Sequence, residues 1–149
     1  MDDRARHYFE DINNHDRYHS GLWRAYRKIA WETLRPHLGE RGGLRVLDLG
    51  GGSRTSLPDL LSDEDVARYV VVDMTASPGV RSSRLEFVRQ DAGTFLSGYA
   101  GPRFHVVIIF GVLMYLEPAQ AASWLRLLPQ IMARGAVALI HEVNSRGAA

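Results

Sequence analysis

Three carboxylates and one glycine cluster offer the chemistry in this sequence. Asp48 stands two residues before the first of three consecutive glycines in "LRVLDLGGGSRTS" (44–56). Asp73 falls near the end of "YVVVDM" (69–74), twenty-one residues after Gly52, and Asp91 closes "LEFVRQD" (85–91). Glycines such as Gly50 and Gly52 permit positive φ and let backbone come close to a ligand. A glycine turn after a strand usually cradles phosphate, which the Asp48 carboxylate would repel. Asp48 therefore favours a ligand that is cationic at that end, such as one bearing an α-ammonium group. A carboxylate at the position of Asp73 suits the two hydroxyls of a ribose, and Asp91 can accept from an adenine amino group. Together the three acids fit a phosphate-free nucleoside carrying a positive charge. The dinucleotide pattern G-x-G-x-x-G is not met, because its third position falls on Thr55.

Such acids act together only if the chain brings them to one rim. Five apolar runs follow residue 43: 44–49, 69–74, 85–90, 104–110 ("FHVVIIF") and 136–143 ("AVALIHEV"). Most are continuous rather than alternating, as in strands buried on both faces of a parallel sheet. The crossovers 53–68, 75–84 and 91–103 are short and rich in Gly, Ser and Pro. Residues 118–132 read as a helix opened by Glu117-Pro118, with Leu125, Leu128 and Met132 on one side and Pro129 kinking or shortening it. Residues 1–41 read as helical, with Leu22, Tyr26, Ile29, Ala30 and Thr33 or Leu34 forming one stripe. Pro36 and the glycines at 39, 42 and 43 are expected to end that helix. The alternation predicts a doubly wound α/β domain with right-handed crossovers, whose ligand lies beyond the carboxyl ends of the strands.

Composition narrows the function classes. At 149 residues, one domain with a substantial core is expected. Eighteen basic residues against seventeen acidic ones, with no run of like charge, give no support for a broad basic face that binds nucleic acid. The absence of cysteine excludes disulfides, zinc–cysteine sites and cysteine nucleophiles. The polar opening "MDDRARHYFEDINNHDRYHS" has no apolar h-region, and no run reaches the length of a membrane span. A cytoplasmic protein without membrane or nucleic-acid partners is the expectation. His15 and His19 stand four residues apart with only Asp16 nearby, so no metal site is expected.

At this point the chain resembles the class I S-adenosylmethionine (SAM)-dependent methyltransferases over residues 5–145. "VLDLGGGS" is similar to that family's first motif, "VVVDMTASP" to its second, "FVRQDA" to its third and "FHVVIIFGVLMYLEP" to its fourth. "LPQIMARGAVALIHE" resembles its helix, turn and fifth strand. The resemblance implies a Rossmann-like, mostly parallel sheet of order 3-2-1-4-5 with N-terminal helices, lacking the usual last two strands. It implies a helical lid over 1–43 and a SAM-binding core over 44–146. The implied cofactor is SAM, held by Asp48, Gly50, Gly52, Asp73, Met74, Asp91, Ala92 and Phe110, with Gly111 beside them. The implied reaction is methyl transfer to O or N of a small-molecule acceptor, plausible in secondary metabolism. His19, Tyr115 and Glu142 are the candidates for catalysis or for lining the acceptor pocket, with His141 on the same rim.

Two departures from the pattern stand out. Arg54 occupies a position where many members have a third glycine, and His105 replaces the usual acid of the fourth motif. With the last strands absent, strand 136–143 is expected to expose an apolar edge. That edge would pair with a second copy or another protein, or be covered by the N-terminal helices. The alternative reading is a non-methylating or partner-dependent accessory subunit with a methyltransferase-like fold.

Overall fold

The apolar runs become five parallel strands. The computed structural model describes residues 21–142 apart from 41, 53–54, 58–59, 61–63 and 76–81. Its strands are β1 (Leu44–Leu49), β2 (Val66–Asp73), β3 (Leu85–Arg89), β4 (Phe104–Phe110) and β5 (Met132–His141). They form one sheet in the order β3-β2-β1-β4-β5, and each neighbouring pair is parallel. The expected order and the doubly wound class are therefore observed.

Both faces of the central strands are apolar, which is why these runs do not alternate. On one face Val46, Tyr69, Val71, Val106, Ile108 and Phe110 pack with α1 (Gly21–Leu38) through Ala30, Leu34 and Leu38. On the other, Leu47, Leu49, Val70, Val72, Val107 and Ile109 pack with α2 (Ala92–Gly98) and α3 (Pro118–Ile131). Helix α1 thus shares the core that the sequence reading assigned to 44–146. The rest of the expected lid, residues 1–20, lies outside the described residues.

Several local expectations change. Pro36 lies inside α1, which runs on to Leu38 and stops at Gly39 with φ 65°. A proline in the last turn forfeits only one helical bond, and glycine is the residue that accepts the left-handed exit. Ile29 is 58% exposed and shares its side of the helix with exposed Thr33, so Leu38 takes its expected place in the stripe. In α3, Trp124, Leu128 and Ile131 are buried, whereas Leu125 faces outward. Pro129 does not stop α3 before Ile131, and Met132 already belongs to β5. Strand β5 starts four residues before the expected 136 because a register shift between Phe104 and Val106, with Gly135 at φ 71°, accommodates Arg134 and Gly135. No helix among the described residues is long and apolar enough to cross a membrane.

Candidate functional site

The carboxyl ends of β3, β2 and β1 lie side by side, and each carries one of the three acids. The glycine turn connects two of them. Gly50 has φ 78° and donates its N–H to the Val72 carbonyl at 2.8 Å, continuing the β1–β2 ladder into the turn. A Cβ on Gly51 would lie 2.9 Å from Asp48 Cγ and Oδ2 and from Val71 Cγ1. The turn therefore lies directly on Asp48, at a distance that only glycine allows. Gly52, at φ 66°, donates its N–H to Asp73 Oδ2 at 3.0 Å.

Asp48 departs from its expected contact. It is fully buried, and both of its oxygens are engaged inside the protein. Oδ2 accepts from Ser56 N at 2.6 Å and from the Tyr69 hydroxyl at 2.8 Å, and Oδ1 accepts from Ser56 Oγ at 2.7 Å. Burial lifts its pKa to about 6 against the opposing pull of these hydrogen bonds. Burial, reinforced by the adjacent Asp48 charge, pushes the Tyr69 hydroxyl well above its ordinary value. Asp48 thus braces the turn from beneath, and its charge would act on a ligand only across the Gly51 backbone.

Ser56 and Tyr69, which hold Asp48 beneath the turn, were not singled out by sequence reasoning. Their signal is faint. Tyr69 heads the apolar run 69–74 as a polar-tipped aromatic, and Ser56 is one of several small polar residues after the glycines.

Asp73 and Asp91 retain free acceptor capacity. Asp73 Oδ1 accepts from Thr75 N and Oγ1, both at 2.7 Å, while among the described residues Oδ2 takes only the Gly52 amide. A carboxylate offers about four acceptor positions, and Asp73 is only half-buried. Asp91 caps α2, with Oδ1 accepting from Thr94 N at 2.8 Å and from Thr94 Oγ1 at 3.2 Å. Its Oδ2 makes no hydrogen bond to any described residue. Ala92 follows, buried in the first turn of α2. Met74, just past Asp73, is 39% exposed.

At the end of β4, Phe110 stacks on His141 with centroids 4.3 Å apart and an interplanar angle of 10°. Tyr26 of α1 leans on the same imidazole at 5.3 Å. His141 Nδ1 is buried without a hydrogen-bond partner among the described residues. Of the expected catalytic set, Tyr115 lies exposed on the 3-10 turn Leu113–Tyr115 after β4. Glu142 is tied to the turn after β4, Oε1 accepting from Val112 N and Leu113 N and Oε2 from Met114 N. His19 and Arg54 fall outside the described residues.

No family model matches the sequence, and no curated protein does. Solved structures do match. The complex of DhpI with SAM and HEP aligns with a TM-score of 0.72 at 15% identity, covering 97% of this chain and 66% of that one. The 1,6-didemethyltoxoflavin-N1-methyltransferase of Burkholderia thailandensis, solved with 1,6-didemethyltoxoflavin and S-adenosylhomocysteine, aligns at 0.59 and 22% identity, covering 87% and 58%. The sugar N-methyltransferase KedS8 from Streptoalloteichus gives 0.57 at 21%, covering 85% and 49%. The chain therefore spans about half to two thirds of the length of these proteins. At this level of identity the likeness is one of fold, that of the class I SAM-dependent methyltransferases.

Proposed function

We propose that the protein binds SAM across the ends of β3, β2 and β1 and transfers its methyl group to O or N of a small molecule. The observation that carries this reading is the glycine turn lying on Asp48 and tied to Asp73 through the Gly52 amide. That cradle has no room for side chains at its base, and its donors and acceptors fit a nucleoside. The ammonium end sits over Gly50–Gly52 with the negative charge of Asp48 beneath. Asp73 accepts from the ribose hydroxyls. The free Oδ2 of Asp91 accepts from the adenine amino group, while the Ala92 amide meets the ring edge. Met74 and Phe110 supply apolar cover. That relatives in fold are solved with SAM or S-adenosylhomocysteine supports the same choice of ligand.

Bound SAM supplies an electrophilic methyl on a sulfonium, and what remains for the protein is alignment. Methyl transfer is an in-line displacement, so fixing the acceptor atom behind the methyl provides much of the acceleration. The rim formed by Phe110, Tyr115 and His141 lies at the ends of β4 and β5, next to the cradle, and takes the acceptor. A base is needed only where the acceptor must shed a proton. His19 remains a candidate for that role, with Tyr115 as a positioning hydroxyl. The place of action is the cytoplasm, and the acceptor is a product of secondary metabolism.

Calorimetric titration with SAM and S-adenosylhomocysteine tests the binding, and methyl-labelled SAM against a panel of small amines and phenols tests the transfer. Micromolar binding and label in an acceptor are expected. No heat and no thermal shift at millimolar ligand would refute the reading.

A second reading rests on β5. Among the described residues it pairs only with β4, and Ile140 is 45% exposed beside exposed Ala138. An apolar open edge favours strand addition from a second copy or a partner protein, so activity that requires such a partner is the alternative.

A further inference from the structure

We propose that Glu142 is a positioning residue that sets the glycine turn from the opposite side of the site, acting through Val112. The inference rests on the reading of that turn as a cofactor cradle. Glu142 follows β5 directly. Its Oε1 accepts from Val112 N at 3.1 Å and Leu113 N at 2.8 Å, and Oε2 accepts from Met114 N at 3.3 Å. These amides open the 3-10 turn after β4, whose own N-cap residue, Val112, provides no side-chain cap. A carboxylate from the neighbouring strand thus does the capping, through charge-assisted hydrogen bonds. A second tie reinforces the clasp: Gly111, at φ 68°, donates its N–H to the His141 carbonyl at 2.7 Å.

Val112 carries the effect across the site. A Cβ added to Gly50 would run into both methyls of Val112. The Val112 side chain therefore fills the space that glycine leaves, and the turn sits where Val112 allows. Met114 and Tyr115 are 47% and 45% exposed. What fixes the segment's height over Gly50 is the Glu142 clasp together with the inward packing of Val112 and Leu113. A path of direct contacts thus runs from Glu142 through the 112–114 amides and Val112 to Gly50, and on to Gly52 and Asp73.

The test compares wild type with E142A, E142Q and V112A, using S-adenosylhomocysteine as the probe in calorimetry, thermal melting as the fold control, and amide exchange over 48–56. E142A is expected to weaken the probe by about tenfold and to speed exchange at Gly50 and Gly52. E142Q keeps one oxygen for the Val112 and Leu113 amides and is expected to lose no more than about threefold. V112A is expected to weaken binding by several fold, and E142A/V112A to be no worse than E142A alone, because both act along one path. A general base would behave differently, with E142A and E142Q both binding the probe like wild type, and that result overturns the proposal. So does a purely structural outcome, in which melting falls while affinity and exchange over 48–56 stay unchanged. If E142A does not fold, V112A decides by the same two readouts. Wild type that fails to bind the probe refutes the cofactor reading, and amide exchange still decides whether Glu142 governs the turn.

Discussion

Asp48 tests how a buried charge is tolerated in this turn. Its carboxyl has a folded pKa of about 6, raised from 3.8 chiefly by burial. A raised acid pKa means that the folded state holds the proton more tightly, so stability falls as pH climbs from about 4 to about 6, by roughly 3 kcal/mol. Asp48→Asn removes that loss. Its amide oxygen can accept from Ser56 N and Tyr69, and its NH2 can donate to a turned Ser56 hydroxyl. The variant is expected to melt higher than wild type at pH 7 and to lose that advantage by pH 4. It should also bind S-adenosylhomocysteine more weakly, since the ligand's ammonium loses the charge beneath the turn. Melting curves at the two pH values and one titration check both outcomes. Gly51→Ala probes the same contact sterically. Its Cβ would meet Asp48 and Val71 at 2.9 Å, and neither can move without disturbing the core. Destabilisation of about 1–3 kcal/mol and a loss of ligand binding exceeding about tenfold are expected, the latter because the cradle must lift away from Asp48.

At the level of elements, α1 separates buried from exposed apolar positions. Leu34 is 1% exposed and Ile29 58%. Leu34→Ala should cost about 2–5 kcal/mol in denaturant unfolding, and Ile29→Ala no more than about 0.5 kcal/mol. The sequence placed Ile29 on the stripe and left its last position to Thr33 or Leu34, because spacing alone does not fix which edge of a helix meets a sheet. The strands were more legible. The valine- and isoleucine-rich runs of β1, β2 and β4 declare burial on both faces, but two starts were misjudged: β2 begins at Val66, three residues before the expected 69, and β5 at Met132, which pairs with Phe104 before a register shift. The site was legible in proportion to its locality. Gly50, Gly52, Asp73 and Asp91 announce themselves by spacing along the chain. The Tyr69–Asp48 bond and the Glu142 clasp do not, since they exist only once β2 lies beside β1 and β5 beside β4.

At the scale of the whole molecule, β5 pairs only with β4 among the described residues and ends the sheet there. Pairing through β5, with a second copy or a partner, would bury Ile140 and Ala138 and the unpaired backbone groups of that edge. Sedimentation over a hundredfold range of concentration should reveal self-association, or a copurifying protein that occupies the edge. A strictly monomeric species with β5 still fast in amide exchange would contradict that expectation. The central claim, however, concerns the other end of the sheet, where three neighbouring strands present one ligand site. Backbone NMR of the labelled protein during titration with S-adenosylhomocysteine tests it most directly. The account predicts that the largest shifts fall on Gly50, Gly52, Met74 and Ala92, while Leu44, Val66 and Phe104 at the opposite strand ends stay in place. A spectrum that does not respond, or one whose changes cluster away from the β1, β2 and β3 termini, would contradict it.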